Sequence, residues 1–222
     1  SRMLDGVEHL RTHHKYTGYV HLKLLPGAAR DEVERAARLA DRISLNLEAP
    51  SHERLQQISP ERSWTDDLIT RLAWARDWQR AGLIKSGLAT QFVVGAAGES
   101  DRELLLTTAW LYRELELRRV YFGAFRPVGG TPLEGQTPTP FVREQRLKEA
   151  DWLLRNYGFS TGELPYDPAG DLPLHVDPKL AWALAQAIRL WKCLWPCAPV
   201  TASKLVWMCS KSKMWLKTWS CP

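Results

Sequence analysis

Residues 90–102, TQFVVGAAGESDR, combine a short apolar run, two glycines and two acids in the order that builds a binding loop. The run at 91–94 has the composition of a strand covered on both faces. Gly95 and Gly98 carry no Cβ, so the backbone can turn tightly and approach a bound group. Ser100 with Glu103 three residues on is a capping box, so a helix starts there with Glu99 just ahead of it. A glycine loop between a strand and a capped helix sits at the C-terminal end of that strand, where α/β folds bind ligands.

Two further polar pairs lie on strand-like segments. In YVHLKLL (19–25), His21 and Lys23 share one face and Val20, Leu22 and Leu24 the other. Both are placed to reach a substrate, or to complete a buried ion pair, for instance with Glu48. In ISLNLE (43–48), Ser44, Asn46 and Glu48 alternate with Ile43, Leu45 and Leu47. A carboxylate accepts hydrogen bonds from two hydroxyls or from an ammonium. Asn46 and Glu48 are therefore candidates to hold a polar ligand, or a polar pair satisfied within a barrel mouth. Arg143 and Arg146 open a later helix and face either phosphate or solvent. His13 and His14 read as solvated loop.

The elements that must position these residues alternate along the chain. A helical pattern (Leu4, Val7, Leu10) precedes the 19–25 strand, and Pro26-Gly27 ends it. Asp31, with Glu34 reaching back, is expected to cap a helix whose stripe is Val33, Ala36, Ala37 and Ala40. After 43–48 come a short helix from Pro50-Ser51 to about Ser59 and a longer one over 66–81, with Leu68, Ile69, Leu72 and Ala75 inward. Leu105, Ala109, Tyr112 and Leu115 give the helix after Ser100 its core stripe. A fourth strand over 119–125 leads into a Pro/Gly/Thr-rich loop, 127–140, long enough to be a candidate functional loop. A helix over 142–157 stops at Gly158, with Leu147, Ala150, Leu154 and Tyr157 inward. Asp177-Pro178 opens a last helix through Leu190. Strands alternating with helices predict parallel strands joined by right-handed crossovers. The polar/apolar alternation of 43–48 favours a barrel, its apolar set toward the helices and its polar set toward the interior.

The 222 residues carry a net charge of +5, but the excess has one source. Residues 191–222 hold five lysines and no acid; without them 25 basic residues balance 25 acidic ones. A neutral body argues against a purely electrostatic nucleic-acid binder. The same tail holds all four cysteines (Cys193, Cys197, Cys209, Cys221) and five of the eleven tryptophans. Its cysteine spacing matches a zinc site poorly, and nothing argues for a secreted disulfide framework. An atypical Trp/Cys/Lys-rich tail of this kind reads as non-native or disordered. No apolar run approaches the roughly 20 residues that span a bilayer, and the start is not signal-like, so no membrane and a cytoplasmic location are the defaults. Ser1 enters directly into a helical pattern, as in a chain entered part-way.

Three strand ends together resemble the later half of a radical S-adenosylmethionine (radical SAM) enzyme. VGAAGES (94–100) resembles the family's fifth-strand glycine turn, FRPVGGTPLE (125–134) its sixth-strand segment, and Asn46-Leu47-Glu48 the fourth-strand segment that touches the SAM ribose. The combination HLKLLPGA, ADRISLNLEAP, VVGAAGESDRELL, RVYFGAF and ADWLLRNYGF…DPKLAWAL is similar to a bacterial radical SAM subgroup of suspected DNA modification or repair function. The resemblance covers residues 1–190 and implies the later part of a partial (β/α)6, TIM-like barrel with parallel strands. It implies SAM contacts from Asn46, Glu48, Gly95, Gly98 and Glu99; His21, Lys23 and Arg143 stand beside them as substrate-contact candidates by their place on the strand face and at the helix start. It implies DNA as substrate and a reductant such as ferredoxin or flavodoxin. The family's 4Fe–4S cluster is held by Cys-x3-Cys-x2-Cys, and this chain has no cysteine before Cys193. The expectation is a chain that retains part of a SAM pocket, holds no metal and does not cleave SAM. Two rivals are a TIM-like enzyme or SAM/phosphate-binding protein without cluster chemistry, and a non-enzymatic nucleic-acid binder. The catalytic residues, the substrate and the oligomeric state are not legible.

Overall fold

The computed structural model describes residues 2–194, so the expectations for the tail lie outside the described residues beyond the end of the last helix. Four strands, β1 (His21–Lys23), β2 (Arg42–Ser44), β3 (Leu88–Val94) and β4 (Arg119–Ala124), form one sheet in the order β1-β2-β3-β4, every pair parallel. Helix α1 (Arg2–Thr12) precedes the sheet, and α2 (Arg30–Leu39) joins β1 to β2. Helix α3 (His52–Gln56), a π-helical turn (Trp64–Ile69) and α4 (Thr70–Arg80) join β2 to β3. Helix α5 (Asp101–Glu114) joins β3 to β4, and α6 (Phe141–Tyr157) and α7 (Pro178–Leu194) follow. The expected alternation of strands and helices is therefore present.

Each strand pairs with the next in sequence, and right-handed crossovers then set every connecting helix on the same side. Burial agrees with that one-sidedness. Leu22, Ile43, Leu88, Phe92, Val120 and Phe122, which share one face by register, are all buried. They pack with Val33, Ala36 and Ala37 of α2, Leu72 and Ala75 of α4, Leu104, Leu105 and Leu111 of α5, and Leu147 and Ala150 of α6. The small residues of α2 let that helix approach the sheet closely, as its stripe predicts.

Several expected boundaries shift for identifiable reasons. The 43–48 strand closes as a regular ladder at Ser44 because a bulge comes next. Ser44 pairs with Ala89 while Glu48 pairs with Phe92, so β2 carries one residue more than β3 over that interval. The Thr90 hydroxyl spans the gap, donating to the Leu45 carbonyl at 2.7 Å and accepting from the Leu47 amide at 3.1 Å. Strand β1 ends short of Leu25, which the Pro26-Gly27 turn carries out to 71% exposure. Helix α2 begins at Arg30 with Ala29 at its N-cap, so Asp31 lies in its first turn instead of capping it. The Glu32 carboxylate reaches back to the Ala29 amide there, and the turn before it is anchored by the Gly27 amide, at φ +74, donating to the Asp67 carbonyl at 3.1 Å. Tyr157, expected inward, is 42% exposed. Other local readings hold: Ser100 and Glu103 form the capping box of α5, and Asp177 accepts from the Leu180 amide at the start of α7.

Thr90 is 1% exposed, so Thr90→Val leaves a buried amide and a buried carbonyl without partners at nearly constant volume. The expected cost is about 1–3 kcal/mol. Urea unfolding followed by tryptophan fluorescence measures it, and a change under about 0.5 kcal/mol would contradict the bridging role.

Candidate functional site

The sheet face away from the core carries polar side chains. Register puts Lys23, Ser44, Ala89 and Arg119 in one row across the four strands and Gln91 beside Tyr121, with His21 next to Arg42. His21, Lys23, Ser44, Asn46, Thr90, Gln91 and Tyr121 line a cavity of about 370 Å³. Three sequence-predicted residues, His21, Lys23 and Asn46, thus meet in one place, on the face their alternation predicts.

His21 Nε2 lies 2.9 Å from Ser44 Oγ. Burial, with help from the neighbouring Arg42 guanidinium, lowers the His21 pKa below the usual imidazole value. The ring is therefore neutral at pH 7 and can either accept or donate. Among the described residues, Lys23 makes no ion pair and the Asn46 and Gln91 amides have no side-chain hydrogen bond to protein. An ammonium, two amides and a phenol thus face the cavity with capacity to bind. The expected ion pair between Lys23 or His21 and Glu48 does not form. Glu48 lies past the bulge, half-buried, at φ +63. A side chain in that left-handed region costs roughly 1–2 kcal/mol, and such strain collects at ligand sites.

The glycine loop is a separate structure, closed by its own groups. The Glu99 carboxylate, 3% exposed, accepts from the Gly95 amide and from the Ala97 amide at 3.1 Å. Gly95 sits at φ +86, and a Cβ there would lie 2.1 Å from Thr139 Oγ1. Close approach by Thr139, whose hydroxyl donates to the Val94 carbonyl, is what requires a glycine. Gly98 is required by its own φ of +62. Arg143 donates to Asp101 at 2.8 Å and to the Glu99 carbonyl at 2.7 Å, and pairs with Asp171 at 3.4 Å. Burial pushes the fully buried Asp101 carboxyl up, against the pull of Arg143 and the Leu172 amide. Arg146 pairs with Glu149 and donates to the Leu174 carbonyl. Gly95, Gly98, Glu99 and Arg143 therefore sit outside the cavity lining, in a network that ties β3 to α5, α6 and the 171–172 segment.

Sequence reading passed over Gln91 and Tyr121, although the period of two in QFVV and RVYF carries them to the same face as His21. It also passed over Arg54, which donates twice to Glu103 at 3.0 Å and once to the Ala97 carbonyl at 3.0 Å. Arg42, Ser86, Arg118, Arg119, Tyr121 and Arg155 line a second recess of about 440 Å³, which shares Tyr121 with the first. Arg155 is paired with Asp151 at 2.8 Å and Arg42 donates to the Ser86 carbonyl, while Arg119 stacks 5.6 Å from the centre of the Tyr121 ring. No protein-family model, curated protein or solved structure matches the chain.

Arg143→Met strands the Asp101 carboxylate in the core and is expected to destabilise the fold by about 3–5 kcal/mol. Asn46→Ala, in the cavity, should leave the urea midpoint nearly unchanged. Equal effects would contradict the separation of network from cavity.

Burial pushes the Glu103 carboxyl up, but Arg54 and the Ser100 amide outweigh it and hold the pKa below the usual carboxylate range. A depressed folded pKa gives stability that is whole above the unfolded value, about 4.3, and is lost as pH falls through the folded one. Glu103→Gln should therefore lower stability at pH 7 and shrink the loss between pH 7 and about 3. An identical acid loss in both proteins, measured by urea midpoints, would contradict this.

Proposed function

We propose that residues 1–190 are the later part of a partial (β/α)6, TIM-like radical SAM barrel, and that the open sheet face is the wall against which SAM is held for chemistry directed at DNA. One observation carries this reading: a singly wound parallel sheet whose face away from the core gathers polar side chains around one cavity, with Lys23, Asn46 and Gln91 unpaired among the described residues. A barrel interior has this character, helices outside and polar side chains within.

The residues fit the two cofactors differently. The Asn46 and Gln91 amides suit the donor and acceptor edges of an adenine or ribose, Lys23 suits a carboxylate, and Glu48 suits ribose hydroxyls or an ammonium. Bound SAM is the source of the 5′-deoxyadenosyl radical in the family. The 4Fe–4S cluster does not fit: with no cysteine before Cys193, residues 1–190 offer no thiolate to hold it. No radical step is therefore assigned to this chain. Its residues bind and orient, and neutral His21, whose Nε2 faces Ser44 Oγ, can accept or donate a hydrogen bond there. The family's glycine turn is also used differently, since Glu99 and Arg143 close it from within.

A second reading, a phosphate-binding protein without cluster chemistry, is favoured by the recess that Arg42, Arg118, Arg119 and Arg155 line. Calorimetric titration with SAM, and separately with inorganic phosphate, distinguishes the two. The first reading expects SAM binding that weakens at least about tenfold in Asn46→Ala, which is about 1.4 kcal/mol, with no 5′-deoxyadenosine formed. Phosphate binding that is lost in Arg119→Ala, without any SAM binding, would overturn it in favour of the second.

A further inference from the structure

At the far end of α1, three imidazoles gather on the surface. His9 and His13 are one helical turn apart, a spacing that puts both side chains on one face. Helix α1 ends at Thr12, and the His13 and His14 amides both donate to the His9 carbonyl, at 2.8 and 3.4 Å. That shared acceptor folds the chain back, so that His14 joins the pair instead of pointing away. The His9 and His13 rings stack at 4.7 Å and 13°, and the His14 ring stands edge-on to them at 5.3 and 5.0 Å. One ring nitrogen from each lies within 4.8 Å of the other two.

We propose that His9, His13 and His14 form a binding site for a divalent transition-metal ion of the zinc class. Zinc takes imidazole nitrogens at about 2.0–2.1 Å in tetrahedral geometry, which needs the three nitrogens roughly 3.3 Å apart. All three residues are exposed, so small rotations of their rings close that distance without disturbing packed groups. Three imidazoles fill three positions and leave the fourth to water. Neutral nitrogen donors suit zinc, copper and nickel and are poor ligands for magnesium or calcium. The partial negative charge at the C-terminal end of α1 favours a cation there.

The nearby charges leave the site open. Arg11 is drawn away by Asp41, at 2.9 Å, and by the Leu39, Tyr16 and Gly18 carbonyls. Glu8 is taken by Arg35. The same Arg11 contacts tie α1 to the segment that enters β1, which fixes the helix end where the imidazoles gather. The site is remote in kind from the sheet-face cavity and does not depend on its assignment.

The test is calorimetric titration of the whole chain with zinc chloride, using a variant with all four tail cysteines changed to serine to remove competing thiolates. One equivalent should bind, and a hundredfold excess over Kd should raise Tm by roughly 5–10 °C. His13→Ala should weaken binding at least about tenfold, while His175→Asn should not. Circular dichroism of His13→Ala should match the parent, because the residue is exposed. With cupric ion, electron paramagnetic resonance should show nitrogen ligation that is reduced in the same variant. Zinc binding unchanged by His13→Ala, or no binding to the cysteine-free chain, would overturn the proposal.

Discussion

Parallel pairing between consecutive strands decides where every connecting helix and every polar side chain of this sheet can go. A parallel neighbour cannot be reached by a tight turn, so each step from β1 to β4 needs a crossover. With the strand order running one way, every crossover falls on the same side. One face then collects the apolar residues and the helices, and the other is left to side chains that tolerate water. His21, Lys23, Asn46, Gln91 and Tyr121 occupy that second face because their parity along the strands leaves no other place for them.

The sheet is not regular, and the bulge that interrupts it lies beside the cavity. The extra residue in β2 breaks the ladder between Ser44 and Glu48, and Thr90 mends it with a side chain where backbone cannot reach. Past the bulge, Glu48 is held in a left-handed conformation, its carboxylate without an ion pair among the described residues. The loop after β3 has the opposite character. Its buried carboxylates all have partners, and Arg143 and Arg54 lock it to the helices on either side. Rigid support on one side and unsatisfied polar groups on the other are what a binding wall requires.

Local signals carried the reading of this fold far. The inward Ile43, Leu45 and Leu47, the small-residue stripe of α2 and the Ser100–Glu103 box each concern residues within one or two turns, and each matches the structure. What escaped depends on distant partners. The bulge appears only when Ser44 and Glu48 are matched against Ala89 and Phe92. Glu99 has the composition of a ligand-binding acid, yet two amides of its own loop claim it. Arg143 meets Asp101, whose position in sequence gives no hint of the contact. Gly95 is required, as its place in the loop implies, but by Thr139 rather than by a ligand.

The central claim is that the open sheet face is where a ligand lies. Hydrogen–deuterium exchange with and without SAM tests it most directly, because it reads the strands themselves. The account predicts slower exchange in peptides covering 21–23, 42–48, 90–91 and 121, with the 95–100 loop already protected in the free protein. Protection confined to 95–100, or no change along the four strands at saturating SAM, would contradict it.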